Sequence, residues 1–201
     1  GHALELVQKA IQDNTSLVIA CGGDGTINEI ARYLVDTTIP LGIIPLGSGN
    51  GIARHFKIPL NIKGALAVIR KMHSTVMDAG LANQHFFLSN MGVSFDSEFI
   101  NIYQNKQTRG FGSYSKALFL AIKQYEVQTF VLHHVGVKRE VSPFLLMISN
   151  ANQFGYDFSL TPKALASDGQ FEMILFKSKT IWSLFKLFLA SRFGLKLSKK
   201  L

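Results

Sequence analysis

The chain has 201 residues, 47% of them hydrophobic and 17% charged, enough to bury a substantial core in one large domain or two small ones and to exclude disorder as its main state. Lys and Arg number 21 against 13 Asp and Glu, yet seven of the cations and none of the acids fall in residues 173–201, so the body is near neutral and a general nucleic-acid face is excluded. Cys21 is the lone cysteine, which rules out an internal disulfide framework or a Cys-rich zinc site and fits a reducing, cytoplasmic setting.

Leu4, Val7, Ala10 and Ile11 share one face of a helix expected over 2–13, which lacks the basic start and unbroken apolar core of a signal peptide. Leu17 to Cys21 is a short apolar run suited to a buried parallel strand, with Cys21 buried at its end. A glycine-rich turn at 22–25 leads into a helix over Thr26–Val35 with Ile27, Ile30, Ala31 and Leu34 inward. A second strand, Leu41–Ile44, is followed by a second glycine-rich turn and a helical stretch through Ala53, Arg54 and His55. This βαβα order predicts a parallel sheet covered by helices.

Near residue 78 the pattern changes. Segments 75–82, 85–92, 128–137, 143–149 and 171–177 are β-rich, with a helix near 114–126, and their spacing predicts an antiparallel sandwich. The expected division is a partial α/β nucleotide-binding domain over 1–78, a β-sandwich over 79–180 and a basic apolar helix over 181–201. That last helix, with Trp182 among its apolar residues, is expected either to be covered by downstream strands or to dock on an anionic bilayer. Both ends look unfinished, as expected of a piece excised from a longer protein. No run reaches the ~18 uncharged apolar residues that a membrane span needs.

Chemistry concentrates in the two glycine-rich turns. Cys21-Gly22-Gly23-Asp24-Gly25-Thr26-Ile27-Asn28-Glu29 lies where a strand hands over to a helix N-terminus, a place suited to phosphate. Asp24 would repel a bare phosphate, and becomes sensible with Mg²⁺ between them or as acceptor of a proton from an attacking hydroxyl. Pro45-Leu46-Gly47-Ser48-Gly49-Asn50-Gly51 offers a hydroxyl and an amide. In a parallel sheet both turns emerge at the C-terminal edge of the strands and can line one crevice. The third glycine of a dinucleotide fingerprint is missing, since Asn28 stands there, and no P-loop sequence occurs. The six histidines show no metal spacing, with His55 the one able to approach the cleft.

GGDGTINEI followed by PLGSGNGIARHF resembles the diacylglycerol kinase catalytic domain family, which includes sphingosine, ceramide and bacterial lipid kinases. Ser89 to Asp96 resembles that family's N-x-G-x-G-F-D segment, with Ser94 where glycine is usual. Arg109-Gly110, Tyr114 and Lys116-Ala117 resemble the next helix, and Ser149-Asn150 through Asp168-Gly169 a late block. The resemblance implies a phosphofructokinase-like α/β domain followed by an antiparallel β-sandwich, and an ATP-dependent lipid kinase using Mg²⁺. It implies nucleotide binding by Gly22, Gly23, Asp24, Gly25, Thr26, Ile27, Asn28, Ser48, Gly49 and Asn50, with Asp24 catalytic. It implies a metal site of the Asp168 carboxylate with the Leu165 and Gln170 carbonyls, against an equal reading of Asp168-Gly169 as a hairpin turn. The implied acceptor is a lipid alcohol met transiently at a membrane surface by a cytoplasmic, peripheral protein. No nucleic-acid partner is expected, and a homo-oligomer is left open. Gly51 departs from the Asp that many members carry, and the family's upstream loop and downstream general-base segment lie outside residues 1–201. NAD kinase, which shares GGDGT, and a binding module without turnover are the alternatives.

Overall fold

The structure, a computed structural model, describes residues 2–104, 111–134, 136–154, 159–177 and 189. The expected basic helix over 181–201 thus lies outside the described residues, apart from Leu189, as do Arg109 and Gly110. The described residues form two compact units. One comprises 2–90 with 149–172, and the other 91–148 with 173–177. This partition is discontinuous, whereas sequence pattern suggests a linear succession of domains.

The first unit begins with helix α1 (His2–Gln12), whose Val7 is buried, and continues through strand β1 (Val18–Gly22), helix α2 (Asp24–Ala31) and strand β2 (Leu41–Pro45). β1 and β2 pair in parallel from Val18 opposite Leu41 to Gly22 opposite Pro45, which brings both glycine-rich turns to one edge. Side chains alternate across a strand, so Ala20 and Ile43 face inward together. They pack with Ile27 of α2, Leu88, and Ile52 and Ala53 of helix α3 (Gly51–His55). Each fully buried aliphatic side chain contributes roughly 1.5–3 kcal/mol. Helix α4 (Ile62–Arg70) is capped by Asn61, whose side chain accepts the Gly64 N–H at 2.8 Å. Ile69 of α4 lies against Gly42 on the sheet's other face.

Cys21 is exposed rather than buried. β1 has β2 as its neighbour on one side, so only its inward residue, Ala20, is fully covered, and Ile19 stays 41% exposed. Strands β3 (Gly80–Ala82) and β4 (His85–Phe87) form an antiparallel hairpin, shorter than the expected segments 75–82 and 85–92.

The second unit holds helices α5 (Phe95–Gln104) and α6 (Phe111–Gln124) and the antiparallel pair β6 (Phe130–His134) and β7 (Val137–Val141). Strand β5 (Asn90–Gly92), with Met91 and Gly92 in this unit, belongs to a sheet of order β5-β8-β9 with β8 (Leu145–Ser149) and β9 (Glu172–Phe176). Sequence pattern anticipates neither α5 nor β7. The unit's core is aromatic: Phe144 is 1% exposed and stacks on Phe95 at 4.4 Å between ring centroids, with Tyr125 edge-on to both. Within this apolar setting the Ser94 hydroxyl accepts the Leu146 N–H at 2.7 Å and donates to Asp96 Oδ1 at 3.2 Å. Burial pushes the Asp96 carboxyl above its ordinary range, outweighing the Ser94 hydrogen bonds that pull it down. No helix among the described residues is long and apolar enough to cross a membrane.

Candidate nucleotide and metal site

The two glycine-rich turns form one body. Leu46 donates its N–H to the Gly22 carbonyl at 2.9 Å, which carries the β1-β2 ladder one step past Pro45. Beyond that point Gly23 and Gly47 meet backbone to backbone, and a Cβ on Gly47 would sit 2.5 Å from the Gly23 Cα. Gly47 must be glycine for the turns to close on each other, while a Cβ on Gly23 would make a tight 3.1 Å contact with the Gly47 Cα.

Asp24 completes the join. Its Oδ2 accepts the Gly51 N–H and its Oδ1 the Ile52 N–H, each at 2.9 Å, so a carboxylate in the first turn of α2 caps α3. These are charge-assisted bonds, stronger than neutral ones. Gly51 contributes its N–H to this cap.

Asn50 adopts a left-handed conformation at φ 52° and clips its own turn, its amide accepting the Gly47 N–H at 2.9 Å and donating to the Gly47 carbonyl at 2.7 Å. Arg54 Nε donates to the Gly49 carbonyl at 3.1 Å and braces the turn from the helix behind it. Asn28 is engaged as well. Its Oδ1 accepts the Leu88 N–H at 3.0 Å and its Nδ2 donates to the Phe86 carbonyl at 3.3 Å. Ile27 buries its side chain in the core and donates its N–H to the Gly23 carbonyl.

Of the ten residues that the resemblance assigns to nucleotide, Asp24, Asn28 and Asn50 therefore use their polar side chains to hold backbone. What the site offers outward is different. The N-cap residue Gly23 supplies no side-chain bond to the first N–H groups of α2, and the space above Gly25 is open. Thr26, in the first turn of α2, and Ser48, in the second glycine-rich turn, are exposed hydroxyl-bearing residues. Such a cradle of N–H groups and hydroxyls suits an anion with several oxygens. A cavity of about 250 Å³ adjoins it, lined by Gly25, Asn28, Arg32, Tyr33, His85 and Phe86 among others. A larger cavity of about 500 Å³ includes Thr15, Ser16, Thr37 and Thr38, at the opposite, N-terminal edge of the two strands.

His55 Nδ1 lies 2.7 Å from Asn152 Oδ1 and accepts the Asn152 N–H at 3.1 Å, which ties α3 to the segment after residue 149. His55 thus serves a structural contact. That segment carries the expected metal residues. In the turn 165–170 Asp168 Oδ1 accepts the Gln170 N–H at 3.0 Å, and Gly169 has φ +72°. Asp78 grips the turn from outside, its N–H donating to the Ala166 carbonyl and its Oδ2 accepting the Gly169 N–H, both at 2.7 Å. The donors on offer are carboxylate and carbonyl oxygens, which fit a hard divalent cation. No group of three or more His, Cys, Asp or Glu side chains converges among the described residues, so such an ion would need the carbonyls of Leu165 and Gln170 beside Asp168.

Sequence reasoning missed Asp78 and the structural role of Asn150, which is fully buried and donates to the carbonyls of Asp78 and Leu88. A signal for Asp78 exists, since it is the lone acid between Asp36 and Asp96.

Residues 1–82 match the diacylglycerol kinase catalytic domain family, and residues 94–199 match the YegS C-terminal NAD kinase beta sandwich-like domain. The probable lipid kinase YegS-like of Pectobacterium atrosepticum is 30% identical over 180 residues, which are 86% of this chain and 60% of that protein. The protein of the same name from Chromohalobacter salexigens is 31% identical over 186 residues, 90% of this chain and 60% of its own length. The fold is similar to the crystal structure of a diacylglycerol kinase from Bacillus anthracis str. Sterne, with a TM-score of 0.71 at 24% identity, covering 92% of this chain and 63% of that one. A second crystal structure from that strain gives a TM-score of 0.74 at 25% identity, covering 100% and 65%. The chain thus spans about 60% of the length of these curated relatives.

Proposed function

The chain belongs to the diacylglycerol kinase catalytic domain family, with the YegS-type C-terminal domain, and from that premise we propose that the full-length protein transfers the γ-phosphate of Mg-ATP to the hydroxyl of a lipid alcohol such as diacylglycerol. The observation that carries this reading is the lock between the two glycine-rich turns. It brings the α2 N-terminus, Thr26 and Ser48 together at the edge where parallel strands present ligands. Phosphoryl transfer asks mainly for such positioning and for neutralisation of charge.

Within this reading the α2 N-terminus and the two hydroxyls bind phosphate oxygens. Asp24 holds the second turn in register with the first. Mg²⁺, when bound, supplies charge neutralisation, and Asp168 with the Leu165 and Gln170 carbonyls would hold one such ion. The lipid acceptor places the encounter transiently at a membrane surface, on the cytoplasmic side.

The test is to incubate the full-length parent with γ-labelled ATP, Mg²⁺, a panel of lipid alcohols and, separately, NAD. Label in an organic-soluble product is expected, and label in NAD with none in lipid overturns the reading. Asp24→Asn keeps one acceptor and loses the other, so kcat/KM should fall about 10- to 100-fold together with thermal stability. Complete loss of activity at unchanged stability would assign Asp24 to the reacting proton instead.

A further inference from the structure

One chain of hydrogen bonds runs through the first unit from α2 to the turn 165–170. Asn28 of α2 holds the Leu88 N–H, and the Leu88 carbonyl accepts from Asn150 Nδ2 at 2.7 Å. The second hydrogen of that amide goes to the Asp78 carbonyl at 2.6 Å. Asp78 in turn holds the Ala166 carbonyl and the Gly169 N–H. The Asn150 backbone N–H is fixed too, donating to the Ser89 carbonyl at 2.7 Å.

The orientation of the Asn150 amide follows from its surroundings. Two carbonyl oxygens face its nitrogen, and turning it over would point oxygen at oxygen. Its own Oδ1 is buried without a hydrogen-bond partner. An orphaned buried acceptor is destabilising, so stability alone is a poor account of a fully buried asparagine here. The gain is geometric: one side chain sets the distance between the strand end held by α2 and the residue that grips the turn.

We propose that Asn150 is a positioning residue for phosphoryl transfer, holding Asp78, and through it the turn 165–170, in fixed register with the phosphate cradle on α2. This rests on the proposed function for its catalytic consequence but not for its structural content. The positions it joins are far apart in sequence, Asn150 being 72 residues from Asp78 and 62 from Leu88, so no local turn preference can replace it.

Hydrogen exchange on the full-length protein reads this without any turnover. Asn150→Ser removes both donors, and the amides of 166–170, Gly169 above all, should exchange about tenfold faster or more, as they should in Asp78→Ala. In activity assays both variants should raise the half-saturating free Mg²⁺ about 10- to 100-fold, with KM for ATP within about twofold of wild type. Because they act on one path, the double variant should lose little more than the worse single one. Unchanged protection at Gly169 in Asn150→Ser, or additive losses, overturns the proposal. Should Asn150→Ser fail to fold, Asn28→Ala unlinks the other end of the path; faster exchange at 166–170 then supports it and unchanged protection overturns it. A wild-type protein that phosphorylates no lipid defeats the proposed function, while the exchange result still decides this one.

Discussion

The two units solve the burial of polar groups in opposite ways. In the first, polar side chains do the joining: Asp24, Asn28, Asn50 and Asn150 each bind two backbone groups, and between them they hold both glycine-rich turns, β4 and the segment after residue 149. In the second, ring packing around Phe144 does most of the work, and the buried Ser94–Asp96 pair is an electrostatic liability within it. A site that must present bare N–H groups cannot cover them with apolar side chains, so its loops need partners of fixed direction. A hydrogen bond supplies direction and apolar contact does not.

The contrast can be broken most strongly at Phe144. Phe144→Ala should destabilise by about 3–5 kcal/mol, read in denaturant melts, while the stabilisation that saturating ATP gives to the surviving folded fraction stays intact. Gly47→Ala should invert that pattern. Overpacking against Gly23 is expected to destabilise by about 2–3 kcal/mol, and thermal melts with ATP should show the nucleotide shift lost outright. A Gly47→Ala protein that still shows the full shift would separate loop closure from binding.

The smallest effect sharpens the comparison from the other side. Asp96 has a raised carboxyl pKa in the folded state, so its contribution is fully present below the ordinary 3.8 and is lost as pH rises through the raised value. Asp96→Asn keeps an oxygen for the Ser94 donors without the charge. It should raise Tm by about 2 °C at pH 7 and leave it unchanged near pH 3. A drop in Tm at pH 7 would show that the hydrogen bonds to the carboxylate outweigh the cost of its burial.

Much of this was legible from residue order alone. Strand, glycine-rich turn and helix announce themselves through runs such as Val18 to Gly22 and the glycines after them, because backbone conformation there is a local matter. The tasks of Asp24 and Asn28 were not legible, since their partners lie 27 to 60 residues away and both residue types suit ligand binding equally well. β7 escaped because four of its five residues are exposed, which leaves no alternation to read. Cys21 is exposed where its apolar run predicts burial, because such a run says that a strand exists, not how many neighbours it has.

The Asn28 amide also has a consequence for association. In the β3-β4 hairpin His85 and Phe87 face β3, so Phe86 and Leu88 turn their peptide groups outward along the free edge of β4. Asn28 offers that edge one acceptor and one donor at the spacing of a neighbouring peptide group, and Asn150 takes the next carbonyl. Among the described residues, two asparagines from elsewhere in the chain thereby stand in for a neighbouring strand on this edge. An incoming strand from a second molecule finds these ladder positions already filled, so the hairpin is guarded against edge-to-edge aggregation without lysine, proline or a bulge.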